Sequence, residues 1–228
     1  SFKDYGVMSM DVNGGTIALE QYNKIYTLPV SGGTPKQFKF DLGADHRFDP
    51  VEHKTYSDHL NDYAVSPNGK LILLEIRGEL FITENDKEKS RTSQITDNPY
   101  RDQDGVWLND STILFTSDRD GKFELYLAKT SDASETSLFK TLKIESRKIL
   151  SEKGDISSPV VSPNGEKLAY SVGEGKLVVS EIDAEGKLSR PVTLLDGWAP
   201  ASGVVWSPDS KWLSYSMEDL DFNEEVYI

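Results

Sequence analysis

The three histidines of the chain, His46, His53 and His59, fall in a stretch that also holds Asp45, Asp49, Glu52 and Asp58. By composition this could be a metal site, because imidazole and carboxylate are common ligands of divalent ions. The intervals of six and five residues between the histidines fit neither a helical i, i+4 pair nor a His-x-His strand pair. They are therefore expected to be solvent-facing loop histidines, and no metal is assigned. Asp118-Arg119-Asp120-Gly121 opens like a calcium loop, but Lys122 stands where a third oxygen ligand belongs. A hairpin turn stabilised by its own Asp side chain is expected there instead. Glu75, Arg77 and Glu79 alternate across a strand, a turn and a strand, which predicts a cross-strand ion pair with Arg77 between carboxylates. The same planar guanidinium could instead bind the carboxylate of a passing peptide. No Gly-x-Ser-x-Gly elbow is present, every Ser-Pro pair falls in a predicted turn, and with no cysteine there is no thiolate nucleophile or disulfide. No catalytic residue, cofactor site or metal site is assigned to the sequence.

The elements that would position these residues come from a repeat. Ser66-Pro67-Asn68-Gly69-Lys70 recurs as Ser162-Pro163-Asn164-Gly165-Glu166-Lys167 and as Ser207-Pro208-Asp209-Ser210-Lys211, each between two apolar extended runs. Proline presets the first central position of a tight turn, Asn or Asp tolerates the next, and the residue before proline is pushed to extended geometry. Weaker copies lie at Val12-Asn13-Gly14-Gly15-Thr16 and Leu108-Asn109-Asp110-Ser111-Thr112. The copies recur about every 49 residues, a period that suits propeller blades. Each unit reads as strand, turn, strand, turn, strand, with a more polar fourth strand at 36–40, 92–96, 147–150 and 191–195. The second strands, such as Leu71-Ile72-Leu73-Leu74, are continuously apolar, as expected of a sheet buried on both faces.

The predicted fold is thus all-β: a single incomplete β-propeller domain of four-stranded antiparallel blades over residues 1–228. Four complete blades (1–42, 57–100, 101–154 and 155–199) precede a partial fifth at 200–228. Gly43–Tyr56 and Thr130–Ser146 read as inserts, one between blades and one lengthening an outer hairpin. Trp107, Trp198, Trp206 and Trp212 are expected in the core between blades. No long helix is predicted. Because four and a half blades do not close a ring, the chain is expected to be a piece of a longer polypeptide.

Composition limits the partners. Of 228 residues, 37% are hydrophobic and 28% charged, and the net charge is −13, which argues against nucleic acid and anionic membranes as partners. The densest acidic run, Glu218 to Glu225, reads as a solvated loop. No apolar run approaches the roughly 20 residues of a spanning helix, and Ser1-Phe2-Lys3-Asp4 does not form a leader.

The turn-and-strand repeat, together with Ser117 to Tyr126, resembles the propeller repeat of TolB-type proteins and of propeller-bearing peptidases. Ser66 to Phe81, with Glu75-Ile76-Arg77-Gly78-Glu79-Leu80-Phe81 at its end, resembles a blade of the tricorn-like serine peptidases, and Val205 to Tyr215 resembles a later one. That resemblance implies part of a seven-bladed propeller that serves as a channel or scaffold for oligopeptide substrates and products. It also implies PDZ-like and serine-peptidase domains downstream in the same chain, no cofactor, an extracytoplasmic location, and room for a homo-oligomer. The family's catalytic residues have no counterpart here. A TolB-type interaction propeller without peptidase activity, or the propeller lid of a prolyl-oligopeptidase-type hydrolase, shares the repeat and remains the alternative.

Overall fold

The computed structural model describes residues 6–22, 24–39, 55–56, 58–89 and 91–228. The chain divides into two compact units, Ser1–Thr55 and Tyr56–Ile228. The described residues contain strands and turns and no helix.

The first unit is one antiparallel sheet of β1 (Ser9–Asn13), β2 (Thr16–Gln21), β3 (Lys24–Pro29) and β4 (Lys36–Phe38), ordered as in the chain. Gly14 and Gly15 join β1 to β2 with positive φ at both positions, the geometry of a two-residue hairpin whose twist matches its strands.

In the second unit, four sheets follow one another. They are β5 (Leu60–Val65), β6 (Leu71–Ile76), β7 (Glu79–Glu84) and β8 (Thr92–Gln94); then β9 (Asp102–Asn109), β10 (Thr112–Ser117), β11 (Glu124–Thr130) and β12 (Ile144–Leu150). β13 (Ile156–Val161), β14 (Lys167–Val172), β15 (Lys176–Ile182) and β16 (Leu188–Asp196) form the third, and β17 (Ser202–Trp206), β18 (Leu213–Glu218) and β19 (Glu224–Tyr227) the last. All pairings are antiparallel between chain neighbours.

Three cores lie between successive sheets. Leu73, Leu80 and Ile82 meet Trp107, Ile113, Phe115 and Tyr126; Leu114, Leu125 and Leu127 meet Ile156, Leu168 and Tyr170; Ala169 and Leu177 meet Trp206 and Leu213. β10 sends Ile113 and Phe115 to one core and Leu114 to the next, and all six of its residues are buried. That double burial explains a continuously apolar strand.

The Ser/Thr-rich insert lengthens the β11–β12 hairpin as expected, and it also places Leu138 and Phe139 in the first core. One expectation needs correcting. Of the four tryptophans, Trp107 and Trp206 are buried, whereas Trp198 and Trp212 are 55% and 62% exposed. The buried pair each donate an indole N–H to the first strand of the preceding sheet, at Ala64 O (3.1 Å) and Val160 O (3.0 Å). Trp198 instead meets the exposed Phe222 edge-on, and Trp212 lies between the turn and the start of β18.

Candidate functional site

The first strands of the four sheets, β5, β9, β13 and β17, touch in succession and share an irregularity. In β9, Asp104 and Gly105 together face Phe115; in β13, Ser158 and Pro159 face Tyr170; in β17, Gly203 and Val204 face Tyr215. Each is a bulge whose first residue has positive φ: 54° at Asp104, 50° at Ser158 and 58° at Gly203. A bulge adds twist and re-aims side chains. It also admits Pro159 into a strand interior, because a bulged residue need not donate to the ladder. The Ser158-Pro159 pair therefore lies in a strand rather than in the turn that the dipeptide predicts.

The bulges are tied from sheet to sheet. Glu75 of β6 accepts from the backbone N–H of Asp104 (3.0 Å) and from Asn61 Nδ2 (3.1 Å). Asp104 in turn accepts from Thr116 Oγ1 (3.0 Å) and from the backbone N–H of Ser158 (3.3 Å). Burial pushes the Glu75 carboxyl above its ordinary range, and the charges of Asp104 and Asp62 add to that rise against the lowering by its hydrogen bonds.

Along these strands runs an open cleft of about 830 Å³. Asp62, Asp104 and Asp110 supply its charge, Ala64, Val106 and Val160 part of its apolar wall, and no Lys or Arg lines it. Such a surface can receive an extended chain by apolar contact and hydrogen-bond acceptance, and it favours cationic over anionic groups. Ser162 also lines it, but its hydroxyl is committed to Asn164 Oδ1 (2.7 Å) and the Lys167 N–H (2.9 Å). No nucleophile and base are paired among the residues that line the cleft.

Arg77 lies elsewhere. It is exposed in the β6–β7 turn, where Arg77 and Gly78 both have positive φ, and its guanidinium sits 6.0 Å from the Tyr56 ring centre. The ion pair expected of Arg77 with Glu75 and Glu79 does not form. Glu75 is held as described above, and Glu79 accepts from Thr96 Oγ1 (2.6 Å) and the Asn98 N–H (3.2 Å). The type of turn explains this, because it carries the Arg77 side chain away from both carboxylates.

Asp118 and Asp120 are occupied by cations and a hydroxyl of the protein itself. Asp118 accepts from the N–H and Nε of Arg101 (2.9 and 3.0 Å). Asp120 accepts from Lys148 Nζ (2.8 Å) and Tyr126 Oη (2.6 Å). Arg119 reaches both oxygens of the fully buried Asp102 (3.0 and 3.2 Å), lying over the Tyr126 ring at 4.4 Å. The hairpin turn is there as expected, but its Asp side chains bond to Arg101, Tyr126 and Lys148 rather than to the turn's own backbone. His59 is exposed, with Nε2 3.2 Å from Asp58 Oδ1. His46, His53, Asp45, Asp49 and Glu52 lie outside the described residues, among which no cluster able to hold a metal ion occurs.

The bulge network was not legible in the sequence, since nothing in Asp104 or Ser158 announces positive φ. The recurrence of a small or polar residue two to three positions before the last apolar residues of each first strand is the only signal that could have found it.

No family model matches the chain. Dipeptidyl-peptidase 5 of Aspergillus fumigatus is 38% identical over 74 residues, a stretch that covers 30% of this chain and 10% of that protein. Among solved structures, the β-propeller domain of Cps50 (Swd1) from Myceliophteria thermophila aligns over 100% of this chain and 66% of its own, at 10% identity and a TM-score of 0.51. A puromycin-hydrolysing peptidase of Mycobacterium tuberculosis aligns over 98% of this chain and 36% of its own, at 13% identity and a TM-score of 0.50. The tricorn protease aligns over 99% of this chain and 22% of its own, at 13% identity and a TM-score of 0.48. The chain thus spans well under two thirds of the length of its peptidase relatives. What the likenesses establish is the fold: this chain is built of β-propeller blades, antiparallel sheets of four strands and, at β17–β19, of three.

Proposed function

We propose that the chain is the propeller module of a tricorn-like or related serine peptidase, which admits or positions oligopeptides for chemistry carried out by another domain of the same protein. The observation that carries this reading is the open cleft of about 830 Å³ along β5, β9 and β13, lined by carboxylates and apolar side chains and lacking a nucleophile-base pair of its own. The resemblance of Ser66–Phe81 to a tricorn-type blade and the local match to a dipeptidyl-peptidase support the peptidase context. In the same reading Arg77, exposed and without a carboxylate partner among the described residues, captures a peptide carboxylate away from the cleft.

The test uses the full-length protein. Asp62→Lys, at an exposed cleft position, is expected to lower kcat/KM for oligopeptides severalfold while leaving cleavage of a short chromogenic ester unchanged. Arg77→Ala is expected to raise KM for peptides with a free carboxylate and not for their amides. Equal effects on long and short substrates would remove the channel role. A full-length protein without a peptidase domain would replace this reading with that of an interaction propeller.

A further inference from the structure

The chain contains three Asn-Gly pairs, Asn13-Gly14, Asn68-Gly69 and Asn164-Gly165. Asn-Gly is the sequence most open to succinimide formation, because glycine leaves its own nitrogen unobstructed for attack on the preceding carboxamide. The reaction needs that carboxamide free to rotate and that N–H free to lose its proton.

In two of the pairs both groups are held. Asn68 Oδ1 accepts from Ser66 Oγ (3.0 Å) and the Lys70 N–H (2.9 Å), and the Gly69 N–H donates to Ser66 O (2.8 Å). Asn164 Oδ1 accepts from Ser162 Oγ (2.7 Å) and the Glu166 N–H (3.2 Å), its Nδ2 donates to Glu166 Oε2 (2.7 Å), and the Gly165 N–H donates to Ser162 O (2.8 Å). The third pair differs on every count. Asn13 is exposed, its carboxamide and the Gly14 N–H have no hydrogen-bond partner among the described residues, and nothing lies within 4 Å of where a side chain on Gly14 would begin.

We infer that Asn13-Gly14 is a spontaneous modification site, where Asn13 is converted to isoaspartate and aspartate while Asn68 and Asn164 are protected by their turns. The Gly14 nitrogen, losing its proton to solvent base, bonds to Asn13 Cγ. The Cγ–Nδ2 bond then breaks, and Nδ2 leaves as ammonia after taking up protons from solvent. Water adds to one carbonyl of the resulting succinimide and breaks its bond to the ring nitrogen. Opening at the main-chain carbonyl yields isoaspartate, and opening at Cγ yields aspartate. Each product carries a new negative charge at neutral pH. Isoaspartate also routes the backbone through Cβ, which lengthens the chain inside the Asn13–Thr16 pair that closes the hairpin.

The test is incubation of the whole chain in mildly alkaline buffer made with ¹⁸O water, followed by proteolysis and mass spectrometry of the three peptides. Label is expected at Asn13 roughly tenfold or more faster than at Asn68 or Asn164, the factor that loss of one net hydrogen bond in the reacting geometry would impose. The three rates are expected to converge in strong denaturant, and Ser66→Ala is expected to speed labelling at Asn68 alone. Labelling of Asn68 or Asn164 as fast as Asn13 in the folded chain, no label at Asn13, or a difference that persists after unfolding would each overturn the inference.

Discussion

The densest chemistry in the chain sits around Arg119, and it supports structure rather than reaction. Asp102 is fully buried, and two oxygens face one guanidinium nitrogen of Arg119, whose side chain is only 21% exposed. Removing one partner of such a pair strands the other. Asp102→Ala is therefore expected to cost about 3 kcal/mol, at the low end for a buried pair because Arg119 keeps some solvent contact. Urea unfolding should show a lowered midpoint at unchanged m. Asp120 gives a pH dependence. Hydrogen bonds from Lys148 and then Tyr126 pull its carboxyl down from 3.8 to about 2. A depressed folded value binds the proton more weakly than the unfolded chain does, so the stabilisation is complete above pH 3.8 and is lost as pH falls toward 2. Asp120→Asn should flatten the stability profile across that interval, measured by the urea midpoint at each pH. Burial, reinforced by Asp120, pushes the Tyr126 hydroxyl up to about 12, so it remains a donor to Asp120 across this whole interval. None of these pairings was legible in the sequence. They join residues from three separate strands and a turn, and side-chain spacing within one hairpin, the basis for the expected Arg77 ion pair, cannot report them.

At the level of elements, the turns were the legible part. In all three Ser-Pro copies the Ser hydroxyl accepts the N–H five residues on, at Leu71 (3.0 Å), Lys167 (2.9 Å) and Trp212 (2.9 Å). These are local bonds written in a six-residue string, so the string suffices to find them. Ser162→Ala is expected to cost about 1–2 kcal/mol, because the hydroxyl is buried and its loss leaves the Lys167 N–H unpaired. Thermal unfolding of the variant measures it, and a change near zero would mean that water replaces the hydroxyl. What the turns do across the blades was not legible. The Asn68 N–H donates to Asp110 (3.0 Å) and the Asn164 N–H to Ser210 (3.1 Å), so each turn also anchors to the corresponding turn of another blade. Burial of tryptophan was misjudged for a related reason. Trp206 and Trp212 flank the same turn, and only the closing geometry decides that the first faces the preceding blade and the second faces outward.

Over the second unit as a whole, each blade packs on its neighbours in the chain, with β9 against β5, β6 and β7, and β13 against β9, β10 and β11. A stack of this kind behaves as a one-dimensional array, whose stability is a sum of blade terms and nearest-neighbour interfaces. Gly105 is the point at which this can be probed, since it lies in the β9 bulge against the preceding blade. A Cβ built there would fall 2.8 Å from Leu73 Cδ2 and 3.2 Å from Leu80 Cδ2, both side chains of the first core. Gly105→Ala is expected to cost about 1–3 kcal/mol through overpacking, because those leucines are fully buried and have little room to turn aside. In a cooperative globule the loss would lower protection everywhere. In a nearest-neighbour array, faster amide hydrogen exchange should be confined to β6, β7, β9 and β10, while β14, β15 and β18 exchange as before. Uniform acceleration across all four blades would show instead that the unit unfolds as one block, its interfaces coupled rather than additive.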